Sequence, residues 1–249
     1  MSSAAADSST EVVNVLCMKW GTKYPADYVN RLYSMVSRNM SRPFRFICLT
    51  EDGEGTHENV EIFPLPELSV DLAGPERGWN KLAVFAETLY DLKGKVLCLD
   101  LDLIITGSLD DLFDYPGEVM IIKDWIKKDG TGNSSVYRFE VGAHPEVLAE
   151  FEKSFEKIKK AHRNEQEYLS AALMAKGALK YWPDEWCRSF KRHCLQPFWF
   201  LVARETRVPD NARVIVFHGK PDPHEAIEGV SGKWYRRFRP ATWVADHWQ

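Results

Sequence analysis

The sequence predicts an α/β protein: one domain with a mostly parallel sheet and helices on both faces. Three observations predict it. Strand-length apolar runs alternate with helical patterns through the first half of the chain, the order that βαβ units require. Polar segments follow those strands rather than interrupt them, as expected where ligands bind outside the carboxyl ends of parallel strands. The chain has 249 residues, 45% hydrophobic and 27% charged, enough for one sizeable core.

Taken in order, residues 12–18 form a continuous apolar run and read as a buried strand. Pro25 opens a helix, where its missing N–H costs nothing. Val29, Leu32, Tyr33 and Val36 share one face of that helix. Residues 44–49 give a second strand ending in Thr50-Glu51-Asp52, and residues 61–65 a short third. Trp79, Leu82, Ala83, Ala86, Leu89 and Tyr90 predict a second amphipathic helix. Residues 95–99 run as a strand straight into Asp100, and residues 118–122 form another. The segments at 20–24, 50–52 and 100–102 all follow strands, so they should line one rim.

The second half is less regular. Leu148, Phe151, Phe155 and Ile158 suit one amphipathic helix. Asn164 with Glu167 three residues on reads as a capping box opening a helix over 165–176, with Gly177 just past its end. Residues 213–217 are a last apolar run, followed by His218-Gly219-Lys220-Pro221. We divide the chain into a leader at 1–10, one folded domain at 11–230 and a basic, aromatic segment at 231–249.

Composition narrows the function classes. The formal net charge of -4 disfavours nucleic acid as a partner. No run approaches the ~18 apolar residues of a membrane span. The leader lacks the charged and apolar regions of a secretory signal. The five cysteines include no C-x-x-C pair, so they read as free thiols in a reducing cytoplasm.

Asp100-Leu101-Asp102 interrupts ten otherwise apolar residues, 96–105. An ionised carboxylate there is costly unless it is paired or bound to metal. In extended chain, residues i and i+2 point the same way, so both acids can reach one cation. Oxygen ligands favour Mg²⁺ or Mn²⁺, and an added imidazole favours Mn²⁺. The plain alternative is that Asp100 caps a turn and Asp102 faces solvent.

Residues 95–113, with strand, Asp-x-Asp, apolar run and Ser108-Leu109-Asp110-Asp111-Leu112-Phe113, resemble the metal-binding segment of family 8 glycosyltransferases, the glycogenin and lipopolysaccharide galactosyltransferase group. The resemblance continues in order through Trp79-Asn80-Lys81-Leu82, Asn133-Ser134-Ser135-Val136, Glu165-Gln166-Glu167-Tyr168-Leu169 and His218-Gly219-Lys220-Pro221. It implies the Rossmann-like GT-A fold, and transfer of a hexose from a nucleotide sugar, a UDP-sugar, with retained configuration. A divalent ion neutralises charge developing on the departing diphosphate in such a reaction.

Residue by residue, the resemblance makes Asp100, Asp102 and His218 metal ligands. Lys81 neutralises donor phosphate, or is a solvated helix charge. Trp20, Thr22 and Tyr24 hold base and ribose, Leu101 lies between the acids against the donor, and Gly219 and Lys220 meet a phosphate. The family spaces its His, Gly and Lys-Pro apart, whereas here they are contiguous. Asn133 and Glu165 contact the donor sugar and Gln166 lies near the anomeric carbon; alternatively, the acids of that turn simply suit the helix dipole. Glu165 stands where the family has Asp. The acceptor, whether carbohydrate, lipid-linked or protein, is open. The basic segment at 232–239 suits donor closure, an acidic acceptor or peripheral contact with anionic lipid. Two rival functions fit parts of the pattern: a haloacid-dehalogenase-like phosphatase, and a nucleotide-sugar-binding protein without turnover.

Overall fold

The computed structural model describes residues 11–195 and 205–249; the expected leader at 1–10 lies outside them. Among the described residues, twelve strands and seven α-helices follow the predicted alternation. The first half runs β1 (Val13–Lys19), α1 (Ala26–Asn39), β2 (Phe44–Thr50), β3 (Val60–Phe63), a segment of three-ten turns (Gly74–Phe85), β4 (Lys95–Leu99), β5 (Leu103–Ile105), α2 (Asp110–Asp114) and β6 (Val119–Lys123). The second half adds β7 (Gly132–Glu140), α3 (Pro145–Lys153), α4 (Phe155–Ala161), α5 (Glu165–Ala175), β8 (Leu179–Tyr181) and β9 (Cys187–Ser189). The chain closes with β10 (Val214–Val216), α6 (Pro223–Glu228), the hairpin strands β11 (Val230–Ser231) and β12 (Lys233–Arg237), and α7 (Thr242–His247).

Seven strands form the central sheet in the order β3-β2-β1-β4-β7-β6-β8. All its strands run the same way except β7, which is antiparallel to both β4 and β6. β5, β10 and β9 make a second, three-stranded sheet. The period-2 alternation of the central strands feeds two cores. Val15, Cys17, Phe46, Cys48, Leu97 and Leu99 point into one core, with α1, the small sheet, α6 and α7. Leu16, Ile47, Leu49, Val96 and Cys98 point into the other, with the three-ten segment, α3 and α5. Strands buried on both faces carry continuous apolar runs, which is why they were legible.

Two local expectations are corrected. The stripe from Trp79 does not form an α-helix: the consecutive residues Leu82, Ala83, Val84 and Phe85 are all buried, which one face of an α-helix cannot do. Gly78, inside the segment, also weakens an α-helical ladder there. The helix expected over 148–158 breaks at Ser154 into α3 and α4.

Arg138, on β7, is 1% exposed. Its guanidinium donates to the carbonyls of Leu112, Phe113, Tyr115 and Gly117 and so fastens the α2–β6 connection to the sheet. Gly229 ends α6 at φ 73°, and a Cβ there would stand 2.4 Å from the Phe238 carbonyl oxygen. No helix among the described residues is long and apolar enough to cross a membrane.

Candidate active site

β1, β2 and β4 all end on one edge of the central sheet, and the segments after them meet there. The Glu51 carboxylate accepts from the Gly21 amide at 2.7 Å, and Lys19 Nζ donates to the Asp52 carbonyl at 3.0 Å. Asp100 continues β4 by one bond, its amide donating to the Ser135 carbonyl at 2.9 Å. The chain then turns at Leu101-Asp102 and enters β5 in the other sheet. The acids therefore flank a turn between two sheets instead of lying on one extended strand. Leu101 anchors that turn in the core at 4% exposure, while both acids remain partly open.

The turn faces a cavity of roughly 230 Å³ lined by Trp20, Lys23, Tyr24 and Lys81 as well as Asp100 and Asp102. Tyr24 donates its hydroxyl to Asp102 Oδ2 at 2.6 Å, and Lys23 Nζ lies 2.5 Å from the same hydroxyl. Burial, then the Asp102 charge, pushes the Tyr24 phenol far above its ordinary range, so it stays a neutral donor. Burial, with the Asp100 charge second, pushes Asp102 up to about 6. Lys81 Nζ stands 2.5 Å from Asp100 Oδ1. Burial opposes the Lys81 charge, but Asp100 and Glu165 outweigh it and raise its pKa.

A bulge in β7 extends the site. Ile121 pairs with Tyr137 but Ile122 pairs with Asn133, so the residues between leave the β6 ladder. Ser134 thereby reaches the first turn of α5: its hydroxyl donates to Glu165 Oε1 at 2.9 Å and its amide to Gln166 Oε1 at 3.3 Å. Lys81 Nζ also approaches the Ser134 carbonyl at 3.4 Å. Asn133, 9% exposed, accepts from the Ser135 amide at 3.1 Å and braces the bulge. Asn164 caps α5 by accepting from the Glu167 amide at 3.2 Å. The reciprocal bond of the expected capping box is displaced by one residue. Glu167 accepts from the Arg163 amide because Lys127 holds its other oxygen.

Tyr24, Lys81, Asp100, Asp102, Glu165 and Gln166 are thus brought together, with Trp20 and Leu101 in the cavity wall. Thr22 is exposed just beyond it. The C-terminal motif sits differently from expectation. His218 Nε2 lies 2.7 Å from Ser189 Oγ, and its ring stacks on Trp125 at 5.5 Å. Burial, then Lys191 and Arg192, lowers its pKa. Gly219 lies against Lys191, and Lys220 pairs with Asp222 at 2.7 Å and Glu225 at 3.2 Å instead of standing free for a phosphate.

Sequence reasoning stopped at Pro221 and missed the next turn. Asp222, His224 and Glu225 bring potential ligand atoms within 4.8 Å of one another. His224 Nδ1 lies 2.9 Å from the Tyr28 hydroxyl, and the Tyr28 ring lies 4.8 Å from that of Tyr24. Burial, then the charges of Asp222 and Asp102, pushes Tyr28 up to about 12. The available signal was the Asp222-Pro223-x-Glu225 capping box, which fixes a helix start directly after the motif.

No protein-family model matches the sequence, and no curated protein matches it. Solved structures do. The galactosyltransferase LgtC, in complex with donor and acceptor sugar analogs, is 16% identical over 85% of this chain and 89% of its own, with a TM-score of 0.61. An active-site mutant of LgtC covers 94% of both chains at 14% identity and a TM-score of 0.63. The glycosyltransferase GlyE of Streptococcus pneumoniae covers 95% of this chain and 60% of its own at 13% identity, with a TM-score of 0.60. The chain has the GT-A fold of these glycosyltransferases, a single domain built on a mostly parallel seven-stranded sheet.

Proposed function

We propose that the chain is a metal-dependent glycosyltransferase that moves a hexose from a nucleotide sugar, a UDP-sugar, with retention of configuration. The observation that carries this reading is the crowding of Asp100, Asp102, Lys81 and Tyr24 around one cavity at the strand ends. Burial, with the neighbouring Asp100 charge second, raises the pKa of Asp102, and a divalent cation there would relieve the repulsion between the two carboxylates. Mn²⁺ or Mg²⁺ held by these acids would supply Lewis-acid stabilisation of the leaving diphosphate. His224 is joined to the cavity through Tyr28 and Tyr24, and we assign it the imidazole role in place of His218.

The chain's own groups divide the remaining work. Lys81 moves its charge from Asp100 to donor phosphate, and Trp20 and Tyr24 hold the nucleoside. Gln166 has its carbonyl oxygen engaged by the Ser134 amide, so its NH₂ is presented to the sugar. Glu165 takes sugar hydroxyls. Gln166 is an amide and the Glu165 carboxylate is engaged by the Ser134 hydroxyl, which favours front-face attack with the departing phosphate as base. The phosphatase alternative gains nothing from the solved structures, which are glycosyltransferases. The five cysteines are buried and unpaired, which suits a reducing compartment such as the cytoplasm.

Thermal unfolding with UDP, GDP, CMP and ADP, each with and without Mn²⁺, tests the reading. A ligand at about a hundred times its Kd stabilises by about 2.7 kcal/mol. An Mn²⁺-dependent rise with UDP alone is expected, and no rise with any nucleotide would overturn the donor assignment.

A further inference from the structure

A second cavity, of roughly 520 Å³, opens beside the candidate active site. Five cations line it (Lys123, Lys127, Lys128, Arg188 and Arg192) against two carboxylates, Asp124 and Asp184, in a chain whose net charge is -4. The Asp124 carboxylate is already occupied, accepting from the Ile126 and Lys127 amides at 2.7 and 2.8 Å. Lys127 is committed to Glu167. Among the described residues, Lys123, Lys128, Arg188 and Arg192 make no ion pair, and Arg188 Nε is buried without a hydrogen-bond partner. Like charges gathered in a concave wall repel one another and raise the local concentration of anions. The cavity is therefore charged for a ligand rather than for the fold.

Its place is equally informative. β6 runs parallel to β1 and β4, so Lys123 at its end lies on the same edge of the sheet as Asp100. The Lys127–Glu167 pair ties the wall of this cavity to the first turn of α5. Glu165 and Gln166 of that turn bond Ser134, and Ser134 touches Lys81 at Asp100. The basic cavity thus adjoins the donor cleft on the side of the sugar-facing residues. Trp125, stacked on His218, forms an aromatic wall of the kind that packs against a sugar ring.

We propose that this cavity is the acceptor site and that the acceptor carries an anionic group, a phosphate or a carboxylate. Arg188 and Arg192 grip that group with planar donor forks, Lys123 and Lys128 add point charges, and Trp125 holds the ring. The inference rests on the donor assignment only for the word acceptor; the anion site stands on its own charges.

Titration of the intact protein with glucose 6-phosphate, glucuronate and glucose, without nucleotide, tests it. Intrinsic tryptophan fluorescence follows binding, because Trp125 lines the site. An anionic sugar should bind at least about tenfold more tightly than glucose, and binding should weaken as salt is added. The preferred sugar tells phosphate from carboxylate. The exposed pair Lys123→Gln with Lys128→Gln should weaken anionic binding by about tenfold and leave UDP–Mn²⁺ binding within about twofold. Arg188→Gln should do the same, with unfolding midpoints confirming that both variants fold. Equal binding of all three sugars, or no loss in the lysine pair, would overturn the proposal. Loss of nucleotide binding with anionic binding intact would instead overturn the donor reading alone.

Discussion

The hydroxyl of Tyr24 stands 2.6 Å from Asp102 Oδ2, and this one bond joins the loop after β1 to the turn after β4. It also holds the Asp102 pKa down against burial and the Asp100 charge. Tyr24→Phe removes the donor and should weaken Mn²⁺-dependent UDP binding by about 10- to 100-fold, the worth of one hydrogen bond to a charged group. Calorimetric titration of both proteins measures it; an unchanged affinity would mean that the bond only positions the loop.

Asp102→Asn should stabilise the metal-free protein. The pKa of Asp102 is raised from 3.8 to about 6 in the fold, so the folded state holds the proton more tightly than the unfolded chain. Ionisation between about pH 4 and 6 therefore costs stability, in full at pH 7, on the order of 1–3 kcal/mol. The variant should unfold a few degrees higher at pH 7, lose that advantage below about pH 4, and show no Mn²⁺-dependent rise with UDP. A lower midpoint at pH 7 would contradict the crowding of the two acids.

Gln166→Ala should separate turnover from binding. If its NH₂ acts on the sugar as proposed, kcat should fall by about 100-fold or more while the donor Kd changes less than about threefold. Steady-state kinetics with equilibrium donor titration checks this, and equal losses in both would make Gln166 a binding residue.

The two histidines should part company. His224→Ala should weaken Mn²⁺-dependent UDP binding by about tenfold or more, whereas His218→Ala should change it less than about threefold. The reverse order would return the imidazole role to His218.

Arg138→Met should be costly without touching the cavity. Four carbonyls would lose their buried donor, and a cost of about 3–5 kcal/mol is expected by urea unfolding. A cost below about 1 kcal/mol would mean that the α2–β6 connection repacks.

Much of this arrangement was legible in the sequence because burial on both faces leaves a strand no polar positions. β1, β2, β4 and β6 announce themselves in that way, and Asn164 announces α5 through its cap. β7 is not legible as a strand, because after Gly132 it opens with Asn133-Ser134-Ser135, polar residues whose groups are satisfied by a bulge and a distant helix. The three-ten segment departs from its pattern for another reason: its apolar residues match a helical stripe, but four consecutive ones, Leu82 to Phe85, are buried. His224 escaped notice because its partner Tyr28 lies 196 residues away. No local spacing encodes such a contact.

The turn at Leu101 leaves each acid anchored by a different sheet. Asp100 hangs from Ser135 of the large sheet, and Asp102 immediately precedes β5 of the small one. The gap between the two carboxylates is therefore set by how one layer sits on the other, and the site works as a caliper across the domain. A substitution beneath β10 that slides the small sheet would re-space the acids from a distance, and its mark would be an altered preference among ions of different radius.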